Sequence, residues 1–95
     1  MKFFIVATRD QSRPQEDFLP HMEEESDHAL QLYKEGFIRE LYGRTDGKGA
    51  LLVVEAVSEE EALKLVNTLP FAKLGFLSFD IYGTAPYRGF IRSIN

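Results

Sequence analysis

The sequence predicts an α+β protein whose strands and helices follow the order β-α-β-β-α-β. Runs rich in Phe, Ile, Leu and Val alternate with helical patterns in that order, and a glycine-rich turn joins the two middle strands. A first helix of about 16 residues, about 24 Å long, matches strands of about seven residues, about 23 Å long. Right-handed crossovers place both helices on one face of an antiparallel four-stranded sheet. We therefore expect a two-layer, ferredoxin-like sandwich.

The first strand and the first helix are predicted from their hydrophobic patterns. Lys2–Thr8 is short, rich in Phe, Ile and Val, and followed by polar residues, which is typical of a strand. Arg9–Leu19 is predicted to be a loop, and it is long for a small domain. Pro20–Glu35 is predicted to be a helix, with Asp17 as its cap and Gly36 as the residue that ends it.

The middle of the chain is a predicted β-hairpin followed by a helix start. The strands Phe37–Arg44 and Ala50–Val57 flank the turn residues Asp46–Gly47. Ser58 then stands three residues before Glu61, the spacing of a capping box. We therefore expect the second helix to begin immediately after the hairpin.

The last quarter of the chain contains the fourth strand. Pro70 is expected to end the second helix, and Phe71–Lys73 to be a short connector. The stretch Leu74–Pro86 alternates between two faces and is rich in Phe, Ile and Tyr, as in a strand. Residues 87–95 are predicted to be a C-terminal tail.

Length and composition favour one small domain. The chain has 95 residues, so residues 1–95 are expected to form a single domain. A net charge of −4 and the lack of a basic stripe argue against nucleic-acid binding, and no apolar run is long enough to span a membrane. The chain has no cysteine, which excludes disulfides and thiolate catalysis. We expect a cytoplasmic protein.

The strands also predict self-association. Neither Phe3–Val6 nor Leu51–Val54 alternates between apolar and polar residues, so both faces of the sheet need to be covered. Two helices cover one face only. A second copy of the chain, packed sheet against sheet, is the simplest cover for the other face, so we expect a homodimer or a higher homo-oligomer.

Charged residues within the predicted strands are candidates for a binding or catalytic site. Asp80 and Tyr82 are expected to share a face of the last strand with Phe76, opposite an apolar face of Leu77, Phe79 and Ile81. A carboxyl group beside a phenol and an arginine, here Arg39, suits proton abstraction next to a carbonyl group. The alternatives are a structural ion pair between Arg39 and Asp80, or exposure of the charged residues at strand edges.

The two histidines do not predict a metal site. His21 and His28 lie two helical turns apart, about 10 Å, which is too far for one metal ion without a ligand between them. His28 is a candidate general base, and Glu25 is a second acidic candidate on the same helix. No phosphate-binding, haem or flavin motif is present, so we expect no cofactor.

Several short runs resemble known families. Lys34–Gly36 followed by Arg39, and the later Leu69–Phe71, are similar to the corresponding runs of muconolactone isomerases. Val53–Ala56 followed by Glu60–Ala62 resembles the YCII-related proteins. Both resemblances imply a dimeric α/β barrel, in which two ferredoxin-like sheets pack face to face.

The resemblance to muconolactone isomerases implies an enzyme that shifts a double bond in a lactone by moving a proton, without a cofactor. It implies a pocket between sheet and helices, with Arg39 binding a substrate carboxylate and Asp80 carrying the proton. The YCII-like pattern expects a histidine early in the first helix and an aspartate after the second strand. Glu25 stands in the first place and Asp46 in the second.

Two functional hypotheses follow. The first is a small isomerase acting on a lactone or another enolisable acid, in which Arg39 anchors the substrate. Asp80, Glu25 or His28 would move the proton, with Tyr82 as a hydrogen-bond donor. The second is a non-catalytic protein of the same fold that binds a small apolar acid. A third, haem or metal oxygen chemistry, has no suitable axial histidine.

Overall fold

The structure is a computed structural model that describes residues 1–90. Its strands are β1 (Lys2–Arg9), β2 (Ile38–Gly43), β3 (Gly49–Glu55) and β4 (Leu77–Gly83). Its helices are α1 (Gln15–Phe18), α2 (Met22–Lys34), α3 (Glu59–Val66) and α4 (Pro70–Lys73), with a 3₁₀ turn at Leu19–His21. No helix in this range has the length and apolar composition that crossing a membrane requires.

The four strands form one antiparallel sheet in the order β2-β3-β1-β4. The two central strands, β1 and β3, are not adjacent in the chain, and the crossovers between parallel strands contain the helices. The predicted ferredoxin-like α+β fold is therefore confirmed.

The core lies between the sheet and the helices. On β1, Phe3, Ile5 and Ala7 are buried on the face that packs against the helices. Their neighbours across the sheet are Val54 and Leu52 on β3, which belong to the same core cluster. Burial of these alternate residues is what holds the two layers together.

The opposite side of the sheet, which we call the open face, carries apolar and polar residues together. It includes Phe4 (47% exposed), Leu51 (42% exposed) and Tyr82 (59% exposed). Val6 lies between Leu51 and Asp80 across the sheet, and Phe4 lies opposite Tyr82. Not every side chain on this face is accessible, since Val53, which lies opposite Phe4, is 7% exposed.

Two segments predicted to lack helical structure contain short helices. The predicted loop contains α1, and the predicted connector is part of α4. Both helices supply an aromatic residue to one cluster, in which Phe18 lies 5.2 Å from Phe71 and 5.1 Å from Phe76 between ring centroids. One-turn helices show no hydrophobic period, so burial of these rings is the stabilising factor. Asp17 lies inside α1 and does not cap α2, which corrects the predicted cap.

The predicted turn and cap residues are otherwise confirmed. Gly36 follows α2 with φ of 88°, a conformation that favours glycine. Ser58 caps α3 by accepting a hydrogen bond from the Glu61 N–H at 3.1 Å, and the Glu61 carboxylate accepts from the Val57 N–H at 3.1 Å. Of the predicted tail, residues 91–95 lie outside the described residues, and the Tyr87 and Phe90 rings contact each other at 5.1 Å.

Candidate functional site

A cavity of about 620 Å³ lies between α2 and the sheet. This volume is in the range of small-molecule sites, roughly 300–1,000 Å³. Its walls are largely apolar and include Ala7, Ala29, Leu30, Leu41, Leu52 and Leu69. The polar groups on its lining include one arginine and one glutamate, so the cavity combines largely apolar walls with two charged residues.

The cation at the cavity is Arg9, the last residue of β1. The alternation that directs Phe3, Ile5 and Ala7 toward the helices directs Arg9 to the same side. Its guanidinium carbon lies 5.3 Å from the centroid of the Phe18 ring. The guanidinium forms no hydrogen bond and no ion pair with any residue in the range 1–90, so its donors are available to a ligand.

The acid at the cavity is Glu25, in the first half of α2. Its Oε1 accepts a hydrogen bond from the Phe71 N–H at 2.9 Å, and Oε2 has no hydrogen-bond partner among the described residues. Burial raises the pKa of Glu25, while the hydrogen bond from Phe71 and the charge of Arg9 partly offset this rise. The carboxyl group is therefore held at one oxygen and free at the other.

The raised pKa of Glu25 predicts a pH dependence of stability. A carboxyl whose pKa is higher in the folded protein than in the unfolded chain binds more protons when folded. Stability is therefore lost as pH rises above the ordinary glutamate pKa of 4.5 and through the raised value. Denaturant unfolding should show Glu25→Gln gaining stability relative to wild type as pH rises. A difference that is constant with pH would contradict the raised pKa.

The two charges predicted to form the site lie on opposite edges of the sheet. Arg39 is on β2 and Asp80 on β4, so three strand spacings, roughly 14 Å, separate their strands. Arg39 is exposed and donates from Nε to the Gly36 carbonyl oxygen at 2.7 Å. Asp80 is exposed on the open face beside Val6. Neither residue lines the cavity.

The predicted substrate contacts Tyr82 and Phe76 also lie apart. Tyr82 is on the open face, opposite Phe4. Phe76 was predicted to share that face, but it precedes β4 and is buried in the aromatic cluster with Phe18 and Phe71. The prediction that Phe76 shares a face with Asp80 and Tyr82 is wrong because Phe76 lies before the strand, where strict alternation does not apply.

His28 lies on α2 near the end of α3, not in the cavity lining. Its Nε2 is 2.7 Å from the Thr68 hydroxyl, which donates its own hydrogen to the Leu65 carbonyl oxygen at 2.6 Å. Nε2 must therefore carry a proton and act as the donor to Thr68. Residues 1–90 contain no group of three or more metal-ligating side chains.

The sequence identified Glu25 as a candidate but not Arg9, Ser26 or Tyr33, which also line the cavity. Ser26 and Tyr33 line the cavity from α2, at one and eight residues after Glu25. Helical spacing places Ser26 and Tyr33, seven residues apart, on one stripe of α2. Arg9 was detectable as the next residue in the alternation of β1, had the strand been extended by one residue beyond Thr8.

The arrangement has a definite chemical capacity. A guanidinium that has no partner binds carboxylates and enolates through paired N–H donors. A partly buried carboxyl with a raised pKa exchanges protons more readily near neutral pH than an ordinary glutamate does. Arg9 and Glu25 together are suited to holding an organic anion and moving one of its protons.

Comparison with solved structures supports the fold. The chain is similar to 5-chloro-2-hydroxyhydroquinone dehydrochlorinase (TftG) from Burkholderia phenoliruptrix AC1100, solved in complex with 2,5-dihydroxybenzoquinone. The TM-score is 0.72 over 94% of this chain and 98% of that chain, at 19% sequence identity. No protein-family model matches the chain, and a search of curated proteins finds no match. At this identity the likeness shows that the two proteins share a fold.

Proposed function

We propose that this protein is a small cofactor-independent isomerase that moves a proton in a lactone or another enolisable carboxylic acid. In this proposal the site is the cavity between α2 and the sheet. Arg9 anchors the anionic group of the substrate, and Glu25 carries the proton. The observation that supports it most directly is the convergence of an unpartnered cation and a partly buried acid on one apolar cavity.

The structural neighbour supports the size and class of the ligand. TftG is named for its action on a substituted hydroquinone, and its structure holds 2,5-dihydroxybenzoquinone, a small ring compound with acidic enol groups. A ring of this size fits a cavity of about 620 Å³ with room for substituents. A small, cyclic, acidic compound is therefore the class of substrate that we propose here.

The proposed chemistry needs only the two charged residues. Glu25 Oε2, which has no partner among the described residues, takes a proton from the carbon next to the substrate carbonyl. The C–H electron pair then forms a conjugated enolate, while Arg9 stays paired with the substrate carboxylate. Glu25 returns the proton to the far carbon of the conjugated system. The double bond shifts, and no oxidant or reductant is consumed.

The test is solvent-proton exchange followed by NMR in deuterated buffer. A panel of unsaturated lactones and 2-oxo or 3-oxo acids is mixed with wild type, Arg9→Gln or Arg39→Gln. Loss of one charge-assisted hydrogen-bonded pair, about 1.5–3 kcal/mol, should lower kcat/KM roughly 10- to 150-fold in Arg9→Gln. Arg39→Gln removes the same charge outside the cavity and should behave as wild type. A lowered kcat/KM in Arg39→Gln together with a wild-type kcat/KM in Arg9→Gln would contradict Arg9 as the anchor of the substrate.

A second candidate function is supported by the hydrogen bond that Glu25 already makes. By accepting from the Phe71 N–H, Glu25 satisfies a free donor in the first turn of α4. A carboxyl with this structural role also suits a protein that binds a small acid without transforming it. Binding of panel compounds to wild type without any catalysed exchange would favour this second function.

We also propose that a second copy of the chain covers the open face. Phe4, Leu51 and Tyr82 leave apolar surface exposed across three of the four strands. The same face carries Lys2 and Glu55 opposite each other at one end of the sheet. In a two-fold dimer each copy presents the same mixed patch, so the apolar centres meet and the polar edges stay hydrated.

Leu51→Lys should convert this dimer to a monomer. The variant places a charge at the centre of the proposed interface, and burial of an unpaired charge costs several kcal/mol. Light scattering after size-exclusion chromatography measures the mass. Val57→Lys is the matched control, since Val57 is 82% exposed and lies beyond the end of β3. A wild-type mass of about 10.9 kDa at all concentrations would rule out the dimer.

A further inference from the structure

We infer that binding of an organic anion at Arg9 is coupled to uptake of a proton by Glu25. The inference uses the anion-binding part of the proposed function but does not require turnover. Arg9 and Glu25 line the same cavity, and neither has its ionic partner within 4.0 Å in the described residues. A ligand that enters the cavity therefore interacts with both charges.

The coupling follows from what the ligand does to the field at Glu25. The charge of Arg9 favours the ionised form of the Glu25 carboxyl. An anion paired with the guanidinium cancels that charge, adds a like charge near Glu25 and displaces water from the apolar walls. Each of these changes favours the protonated carboxyl. After an anion has bound, the hydrogen bond from the Phe71 N–H is the contact that still stabilises the ionised form of Glu25.

Other titratable side chains lie on α2 near Glu25 or line the cavity. His28, three residues after Glu25, has its Nε2 2.7 Å from the Thr68 hydroxyl and lies outside the cavity lining. The cavity lining includes Tyr33 of α2 and Tyr42 of β2. The Tyr42 phenol donates a hydrogen bond to the Glu40 carboxylate at 2.6 Å, and this bond raises the pKa of Tyr42. His21 precedes α2, and its ring lies 6.2 Å from that of Phe76, outside the cavity lining. Lys73 of α4 is exposed and also lies outside the lining.

The consequence for chemistry is that a bound anionic ligand itself raises the pKa of Glu25. Because its pKa rises, the fraction of Glu25 that stays ionised is a stronger base, and this fraction takes the substrate proton. A neutral compound in the cavity leaves the field of Arg9 in place, so it does not tune Glu25 in this way. The site then distinguishes anionic from neutral ligands by reactivity as well as by affinity.

The test uses benzenesulfonate, whose charge does not change with pH, and benzenesulfonamide as a neutral ligand of the same shape. Carboxyl carbon NMR follows the titration of Glu25, whose signal is assigned by its absence in Glu25→Gln. Saturation with benzenesulfonate should raise the titration midpoint of Glu25 by about one pH unit. Affinity for benzenesulfonate should fall roughly tenfold as pH rises through that window.

Variants separate the sources of the effect. Arg9→Gln should raise the midpoint of Glu25 in the free protein and bind benzenesulfonate at least tenfold more weakly. Glu25→Gln should bind with an affinity that does not change with pH, whereas His21→Gln should keep the wild-type dependence. Absence of benzenesulfonate binding to wild type, or binding that leaves the Glu25 midpoint unchanged, overturns the inference. Failure of proton exchange in the lactone panel would count against the isomerase and would leave these binding results unaffected.

Discussion

Replacement of Glu25 by glutamine is expected to lower the rate of proton exchange by about 10²- to 10⁴-fold, the range typical of a lost general acid–base. The amide of glutamine keeps an oxygen that can accept from the Phe71 N–H, so the start of α4 remains capped. Only the ability to take and return a proton is removed. Exchange rates by NMR and a thermal melt of the same sample measure the two properties separately.

The matched control for this prediction is Asp80→Asn. It makes the same acid-to-amide change on the open face, outside the cavity. Activity should be retained in Asp80→Asn and lost in Glu25→Gln, with both proteins folded. If activity disappears in Asp80→Asn and persists in Glu25→Gln, the proton carrier is on the open face, as the resemblance to muconolactone isomerases implies.

The largest loss of stability is expected for Phe3→Ala. Phe3 is 2% exposed, on the central strand β1, and packs in the cluster that joins the sheet to the helices. Truncation of a buried Phe to Ala costs about 3–5 kcal/mol, a large part of the roughly 5–15 kcal/mol that stabilises a typical domain. For a chain of this size the melting temperature should fall by at least about 12 °C.

Phe90→Ala provides the comparison for that loss. It removes the same atoms from a side chain that is 70% exposed and lies beyond β4. Its effect should stay within about 0.5 kcal/mol, as for most surface substitutions. Urea unfolding of the two variants measures the difference directly. Similar losses for both would show that the core is not where the buried residues of β1 place it.

The fold was predictable because it depends on periodic patterns. The apolar runs of β1 and β3, the turn at Asp46–Gly47 and the capping residue Ser58 each state a local preference that agrees with the overall topology. The helix α4 was not predictable from such a pattern, since four residues are too few to show a period. It forms because Phe71 is buried and its N–H is bonded to Glu25.

The candidate site was predictable only in part, because its acidic residue could be identified from the sequence but its cationic residue was not. Glu25 was identified as an acidic candidate on the first helix, but its cationic neighbour was sought in the wrong strand. The register of β2 shifts between Ile38 and Glu40, which places Arg39 at a β-bulge. A β-bulge has no reliable signature in a single amino-acid sequence. Arg9, by contrast, follows from the regular alternation of β1.

The most direct test of the central claim, that the binding site is the cavity between α2 and the sheet, is a methyl NMR titration with benzenesulfonate. The account predicts shifts for the methyl groups of Ala29, Leu30 and Leu52, which line the cavity. The methyl groups of Val6 and Leu51, on the open face, should remain unchanged. Shifts confined to Val6 and Leu51 would contradict the account and place the ligand beside Asp80 and Tyr82.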